Sequence, residues 1–347
     1  VTAATTPLSE LRERILPFAL AGDRRSALRE AVAVVEQGVS LSDFVLEVLA
    51  PIQVEVGAAW ERGEIHHSQE KLATELAEIL LTIAAGRSEP EPSGLKFVVC
   101  VADSEHHNLP ARMVAELMRA EGHAVTFLGM PSARAGLGRL MRMVEPDAVV
   151  ISCSLAMNLP GVVGLAGVAH EVGLPVIVGG AGFSASESRA LTVGGDRYAG
   201  TIAELGALAR DRGDTGFAPG PASARAIEWS ELVRARRQIA TESAERLMWF
   251  SGPVIPRSLR TPKALNERFT DLLRFVEAAA LVDDHILIDY AQWLAGHHAA
   301  TLRSDPEFTV AMLKTVRDQT DNLYPIAASA TDAAACQLTA TRPGGPS

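Results

Sequence analysis

The sequence predicts an α/β protein: a doubly wound, parallel, Rossmann-like sheet flanked by an N-terminal four-helix bundle and a C-terminal all-helical domain. Three observations predict it. Short β-branched or apolar runs at Phe97–Ala102, Ala124–Leu128, Ala148–Ser152 and Pro175–Val178 have the length and composition of strands. Helical stretches at 109–121, 133–144 and 158–172 alternate with them, and continuous apolar runs between helices suit a parallel sheet buried on both faces. On either side, residues 8–86 and 228–325 carry helical periodicity.

In the first helical stretch, Leu41, Phe44, Val45, Val48, Leu49, Ile52 and Val56 recur at helical spacing, as do Ile65, Gln69, Leu72, Leu76, Ile79 and Ile83. Gly22-Asp23, Gly38 with Ser40, and Gly63 mark the turns between four short helices, whose stripes bury most simply against one another. The segment Gly86–Gly94, with Pro90 and Pro92, reads as a stiff linker. A second loop-like stretch at 213–226 separates the α/β segment from the last helices, which Ser251-Gly252-Pro253 and Pro256 interrupt. The expected units are a helical cap at 1–86, the sheet domain at 94–212, a helical domain at 226–330 and a disordered tail at 331–347.

Composition narrows the function. At 347 residues, with 48% apolar and 21% charged residues, the chain suits two or three domains, each with its own core. The net charge of −10 and the lack of a long basic run argue against binding to nucleic acid by this chain alone. No apolar stretch reaches the roughly 18–20 residues of a membrane span and the N-terminus lacks a signal-peptide pattern, so a cytoplasmic protein is expected. Cys100, Cys153 and Cys336 make neither a disulfide framework nor a metal-ligand pattern. Cys100 and Cys153 lie in apolar runs and read as small buried thiols.

Three loops at expected carboxyl ends of strands carry the chemistry. The first strand runs into Asp103-Ser104-Glu105-His106-His107-Asn108-Leu109-Pro110. Histidine is the commonest protein ligand for transition metals, and its second nitrogen needs an orienting partner, which Glu105 can supply to His107. His106 is the alternative ligand, with Ser104 in the partner position. The third strand runs into Ser152-Cys153-Ser154, whose hydroxyls can donate to a polar ligand, and the fourth into Gly179-Gly180-Ala181-Gly182-Phe183, where missing side chains let a ligand approach the backbone. Each loop alone is ordinary turn chemistry.

Together they resemble the cobalamin (vitamin B12) binding domain of methionine synthase, the mutases and the B12-dependent photoreceptors. That family carries an acidic residue, any residue, His, two residues and Gly after the first strand, Ser-x-Ser/Thr or Ser-x-Leu after the third and Gly-Gly after the fourth. Glu105 and His107, Ser152 and Ser154, and Gly179 and Gly180 fall on these positions, and Gly194–Ala199 is similar to the family's last short strand. Pro110 stands where the family has Gly, a substitution suited to the first turn of a helix because its missing N–H costs nothing there. The resemblance implies cobalamin, as adenosylcobalamin or methylcobalamin, with His107 on cobalt from below and the nucleotide tail inserted beside the sheet.

The helical cap extends the resemblance. Trp60, then nine residues, then Glu70 is similar to the cap of B12-dependent transcriptional light sensors, which covers the upper face of the corrin; Trp60 would then shield the upper ligand. The histidine that follows the glutamate in that pattern is Lys71 here, and a protonated lysine is a poor cobalt ligand. His66 and His67 are the nearby substitutes.

In the last helices, Tyr290, Trp293, Leu294 and His297 fall on one face, with His285 and Asp289 close in sequence and Arg257 earlier. A core stripe explains this pattern; so does a site for a flat conjugated ligand with pyrrole N–H groups and propionates, one of which Arg257 could pair. The domain order resembles photocobilins, which join a B12 domain to a helical bilin-binding domain. That resemblance implies biliverdin, held non-covalently, as a second chromophore. The expected protein is a light-sensing signalling protein rather than an enzyme, acting on a downstream signalling partner or through self-association, with a homodimer as one form. The alternative is a corrinoid carrier shuttling methyl groups to partner methyltransferases.

Overall fold

The computed structural model describes residues 7–86, 91–131, 134–210, 223–251 and 254–340. Its centre is a five-stranded parallel sheet: β1 (Lys96–Val101), β2 (Ala124–Gly129), β3 (Ala148–Ser152), β4 (Val176–Gly179) and β5 (Arg197–Tyr198), in the order β2-β1-β3-β4-β5. The four expected strands are present within a residue or two of their predicted ends. The helices between them are α6 (Asn108–Ala120), α7 (Arg134–Val144), α8 (Pro160–Glu171), α9 (Glu187–Thr192) and α10 (Ile202–Arg210).

The period of two in β1 explains why both faces are covered. Phe97, Val99 and Val101 point to one side, where they bury against Ala111, Ala115 and Met118 of α6 and Leu205 and Ala209 of α10. Val98 and Cys100 point to the other, toward Leu137 of α7 and Leu165 of α8. Burial pushes the Cys100 thiol up to about 12, so it is an inert core group, as expected from its apolar run. Strand order reverses between β1 and β3, and ligands of doubly wound sheets bind at such a switch point, beyond the carboxyl ends of the strands.

The N-terminal unit comprises α1 (Leu8–Ala21), α2 (Arg24–Glu36), α3 (Leu41–Phe44), which continues through a π-helical turn into α4 (Ala50–Glu61), and α5 (His67–Ala85). Asp23 and Ser40 cap α2 and α3 by accepting backbone N–H groups of Ser26 and Asp43. Leu41, Phe44, Val45, Val48, Leu49, Ile52 and Val56 are all buried, as the spacing predicts. On α5 the buried face differs from the expected one. Leu72 is exposed and Ile79 and Ile83 are half-buried, while Ala73, Leu76, Ala77, Leu80, Leu81 and Ala84 form the core. Small alanines let α5 approach its neighbours closely, and hydrophobicity alone understates them. This core also takes in Leu109, Met113 and Leu117, so the unit rests on α6 of the sheet domain.

The last helices are α11 (Ala224–Phe250), α12 (Pro262–Leu281), α13 (His285–Leu302), α14 (Glu307–Thr320) and α15 (Pro325–Ala340). Two expectations are corrected here. Residues 331–340 are not a disordered tail: they are the second half of α15 and bury Thr331, Ala334, Ala335 and Leu338, with Cys336 on the exposed side. An alanine-rich helix with one small-residue face docks without the large apolar signals a sequence pattern relies on; residues 341–347 lie outside the described ones. Nor does this unit have a core of its own. Leu232, Phe269, Leu273, Leu313 and Leu338 belong to the same buried cluster as Val98, Ile151 and Leu165 of the sheet domain. A bidentate pair from Arg189 of α9 to Asp283 (2.7 and 3.1 Å) fastens the contact.

Candidate functional site

The loop after β1 holds a buried carboxylate at the switch point. Glu105 is 0% exposed. One of its oxygens accepts the backbone N–H of His107 (3.0 Å) and faces Nδ1 of the His107 ring (2.5 Å). The other accepts the N–H groups of Ser154 and Leu155 and Nδ2 of Asn158, each at 3.0 Å. Burial alone would raise its pKa, but the bonds from His107, Asn158 and the backbone outweigh it and hold the carboxyl at about 2. Glu105 therefore ties the β1 loop to the β3 loop as an anion.

His107 sits as the residue before α6, with its side chain 49% exposed. Its pKa is raised chiefly by the hydrogen bond to Glu105. With Nδ1 committed to the carboxylate, Nε2 is the nitrogen left to meet a metal, the arrangement in which a metal-binding imidazole is oriented by an acid behind it. His106 is exposed and the carboxylate is bonded to its neighbour, which favours His107 over the alternative.

The other predicted residues divide into groups. Ser152 is buried at the end of β3, and Ser154 contributes its N–H to Glu105. Gly180 and Gly182 have a use that differs from the one expected. Gly180 has φ +111°, and a Cβ there would overlap the Cys153 carbonyl oxygen; one on Gly182 would lie 3.0 Å from the same atom. A Cβ on Gly179 would lie 2.9 Å from the Ala199 carbonyl. The missing side chains thus let the β4 loop close against the β3 and β5 loops. Phe183 is buried against Tyr198, with ring centroids 6.0 Å apart.

In the cap, Glu70 and Lys71 both lie within electrostatic reach of the His107 ring, so the start of α5 faces the β1 loop. Trp60, at the end of α4, packs against His67 (6.5 Å between centroids), Trp293 (5.9 Å) and His297 (5.0 Å). The row continues through α13: His297 stacks on Trp293 (5.1 Å), Trp293 on Tyr290 (5.6 Å), and Tyr290 on Phe275 (3.5 Å). Three of the residues expected to offer stacking surface to a bilin are therefore already stacked on one another and on the cap. Leu294 is buried, whereas His285, Asp289 and Arg257 are exposed. Among the described residues no hydrogen bond or ion pair joins those three to the row.

Two partners escaped the sequence. Asn158, 3% exposed, and Arg274 of α12 complete the network at Glu105, since Arg274 donates to Oδ1 of Asn158 (2.5 Å). The only local sign was an amide just before Pro160, where a helix starts. The residues present fit a corrinoid. A metal-competent imidazole with its orienting acid lies opposite a cap, and next to it Asn108 Oδ1 is buried with no hydrogen-bond partner, an acceptor for the amide groups that rim a corrin.

Comparison with known proteins agrees with this geometry. Two family models, each described as a B12 binding domain, match residues 95–205 and 11–84. The chain is 30% identical over 106 residues to the HTH-type transcriptional repressor CarH of Myxococcus xanthus, covering 30% of this chain and 35% of that one. The match thus spans about a third of the curated relative's length. The monomethylamine corrinoid protein of Methanosarcina barkeri superposes with a TM-score of 0.50 at 18% identity, over 58% of this chain and 97% of that one, a likeness of fold. A cobalamin-binding protein from Desulfitobacterium hafniense superposes more loosely, with a TM-score of 0.31 at 19% identity over 59% of this chain and 97% of that one. With family matches at both the cap and the sheet, residues 11–84 and 95–205 are B12-binding domains, and the chain is a cobalamin-binding protein.

Proposed function

We propose that the chain is a cobalamin-dependent light sensor, a signalling protein rather than an enzyme. One observation carries the reading: Trp60 packs at once on its own cap and on Trp293 and His297 of the C-terminal helices. When bound, cobalamin supplies a photolabile bond between cobalt and its upper ligand. His107, oriented by Glu105, would hold the cobalt, and Asn108 would receive a donor from the corrin rim. Trp60 would lend apolar surface to the cofactor and exclude water beside it. Any change in what Trp60 packs against is felt directly by α13, and a switch requires such a pair of alternative packings. The readout is contact with a downstream protein or a change in self-association.

A second chromophore, biliverdin, belongs to the same reading. Its support is the aromatic row of Tyr290, Trp293 and His297 beside Trp60, with Arg257, His285 and Asp289 as exposed polar groups on the same helical unit. For the rings to receive a bilin they must part from one another. The other reading, a corrinoid carrier for methyltransferases, is favoured by the likeness of fold to a corrinoid protein and leaves the C-terminal helices without a role.

Absorption spectra of the full chain, purified with adenosylcobalamin or methylcobalamin and biliverdin and taken before and after illumination, test these readings. The sensor gives bleaching of the alkylcobalamin bands, and a bilin adds a far-red band. Cobalamin uptake without biliverdin uptake in excess ends the bilin part. Unchanged spectra in light, with methyl transfer to a partner enzyme, would leave the carrier.

Trp60→Ala is expected to weaken binding of adenosylcobalamin relative to hydroxocobalamin by about 3- to 10-fold, because a bulky upper ligand loses a stacking surface worth roughly 1 kcal/mol. Loss of the photolysis product should quicken. Titrations and flash photolysis on the variant measure both; equal values for the two cofactor forms would leave Trp60 as an ordinary packing residue.

A further inference from the structure

One polar side chain of the C-terminal helices reaches the β3 loop and, through it, the β1 loop. Arg274, on α12, donates to Oδ1 of Asn158 (2.5 Å), Asn158 Nδ2 donates to one oxygen of Glu105 (3.0 Å), and the other oxygen faces the His107 ring. The other donors to that first oxygen, Ser154 and Leu155, are backbone groups of the β3 loop. Asn158 is the donor whose other end is held by the C-terminal helices.

The amide can sit only one way. Turned over, its NH2 group would face the Arg274 guanidinium and its oxygen the Glu105 carboxylate, donor against donor and acceptor against acceptor. Asn158 is 3% exposed, so water offers little relief. Arg274 thereby fixes which end of the amide the carboxylate meets, and its positive charge also acts on Glu105. Nothing in the B12-binding segment itself supplies this contact: Arg274 lies 116 residues beyond Asn158, outside the matched domains.

We propose that Arg274 is a positioning residue for cobalamin, through which the C-terminal helices set how firmly His107 is held for cobalt. The proposal rests on the reading that His107 is the lower ligand. It makes the coupling between the helical unit and the cofactor two-sided: Trp60 would act from the cap, and Arg274 through Asn158 and Glu105. A shift of α12 withdraws the guanidinium, frees the amide and loosens the carboxylate behind the imidazole.

The test uses the full chain loaded with cobalamin. Affinity is measured by absorbance titration at fixed pH, and the lower ligand by electron paramagnetic resonance of protein carrying 15N-labelled histidine after reduction to cobalt(II), where an axial histidine nitrogen splits each cobalt line into two and the cofactor's own base would split it into three. Direct outer partners of metal ligands change affinity by about 10- to 100-fold, so two hydrogen bonds further out than Glu105, Arg274→Met is expected to weaken binding about 3- to 10-fold. A fraction of the molecules should lose the axial-histidine splitting. Arg274→Lys, which keeps a charge and a donor, should recover part of both. Arg246→Met, which removes an exposed pair with Asp318 on the same helical unit, should match the wild type. If Arg274→Met does not fold, Arg274→Gln takes its place with the same expectation.

Folded Arg274 variants with wild-type affinity and full splitting would overturn the proposal. Loss of fold in both Met and Gln variants would also overturn it, leaving Arg274 a purely structural residue. A wild type without axial-histidine splitting, or a His107→Ala variant that keeps it, would instead remove His107 as the ligand and the proposal with it.

Discussion

Glu105→Ala should destabilise the cofactor-free protein by about 3 kcal/mol at neutral pH, measured by urea denaturation. The side chain is fully buried and gathers five donors: the N–H and ring of His107, the N–H groups of Ser154 and Leu155, and the Asn158 amide. Stranding buried donors costs about 1–3 kcal/mol each before relaxation, and some of these will find water once the loop loosens. The pH dependence gives the expectation its sign. The folded carboxyl is held at about 2, below its unfolded value, so its contribution is present above the ordinary carboxylate range and is lost as the pH falls toward 2. The gap between wild type and variant should therefore be widest near neutrality and narrow on acidification. A gap below about 1 kcal/mol, or one indifferent to pH, would mean that the loops are held by other contacts.

His107→Ala should lower cobalamin affinity by about 100-fold or more and give a spectrum without a histidine on cobalt. Loss of an outer partner of a metal ligand costs about 10- to 100-fold, and loss of the ligand itself costs more. The structure commits Nδ1 to Glu105 and leaves the ring half exposed toward the cap, where Glu70 and Lys71 influence it. His106→Ala is the comparison and should bind normally. Unchanged affinity in His107→Ala with disruption in His106→Ala would reassign the ligand. The fold of His107→Ala is expected to hold, since Glu105 keeps its bonds to the β3 loop.

What could be read from the residues followed from how local the determinants are. The strands were legible because β1, β3 and β4 are short apolar runs bounded by turn residues, and burial on both faces leaves no other use for them. Glu105 and His107 were legible as a pair because they lie only two positions apart in sequence. The glycines after β4 could be placed but not interpreted: a Gly admits a ligand or another strand's loop equally well, and only the closeness of the Cys153 carbonyl decides. Asn158 and Arg274 were out of reach because their meeting depends on how α12 packs against the sheet domain. Alanine-rich surfaces misled twice, at the buried face of α5 and along α15, since a helix that docks through small residues gains its energy from close approach rather than from large side chains.

The shared core between the sheet and the C-terminal helices bears on how such a protein can be recombined. A module joined to its neighbour only by a linker can be exchanged at the linker, and both parts survive the cut. Here the boundary in sequence does not coincide with a boundary in packing: Val98 and Leu165 on one side and Leu232 and Phe269 on the other belong to one buried cluster. Fusing the first 210 residues to a foreign effector would bare an apolar face, and grafting the helices alone onto another B12-binding domain would leave theirs uncovered. Successful chimaeras must carry α8 and α12 together as one unit. By the same logic, related sequences should vary α8 and α12 in concert, a large residue gained on one matched by a small one on the other.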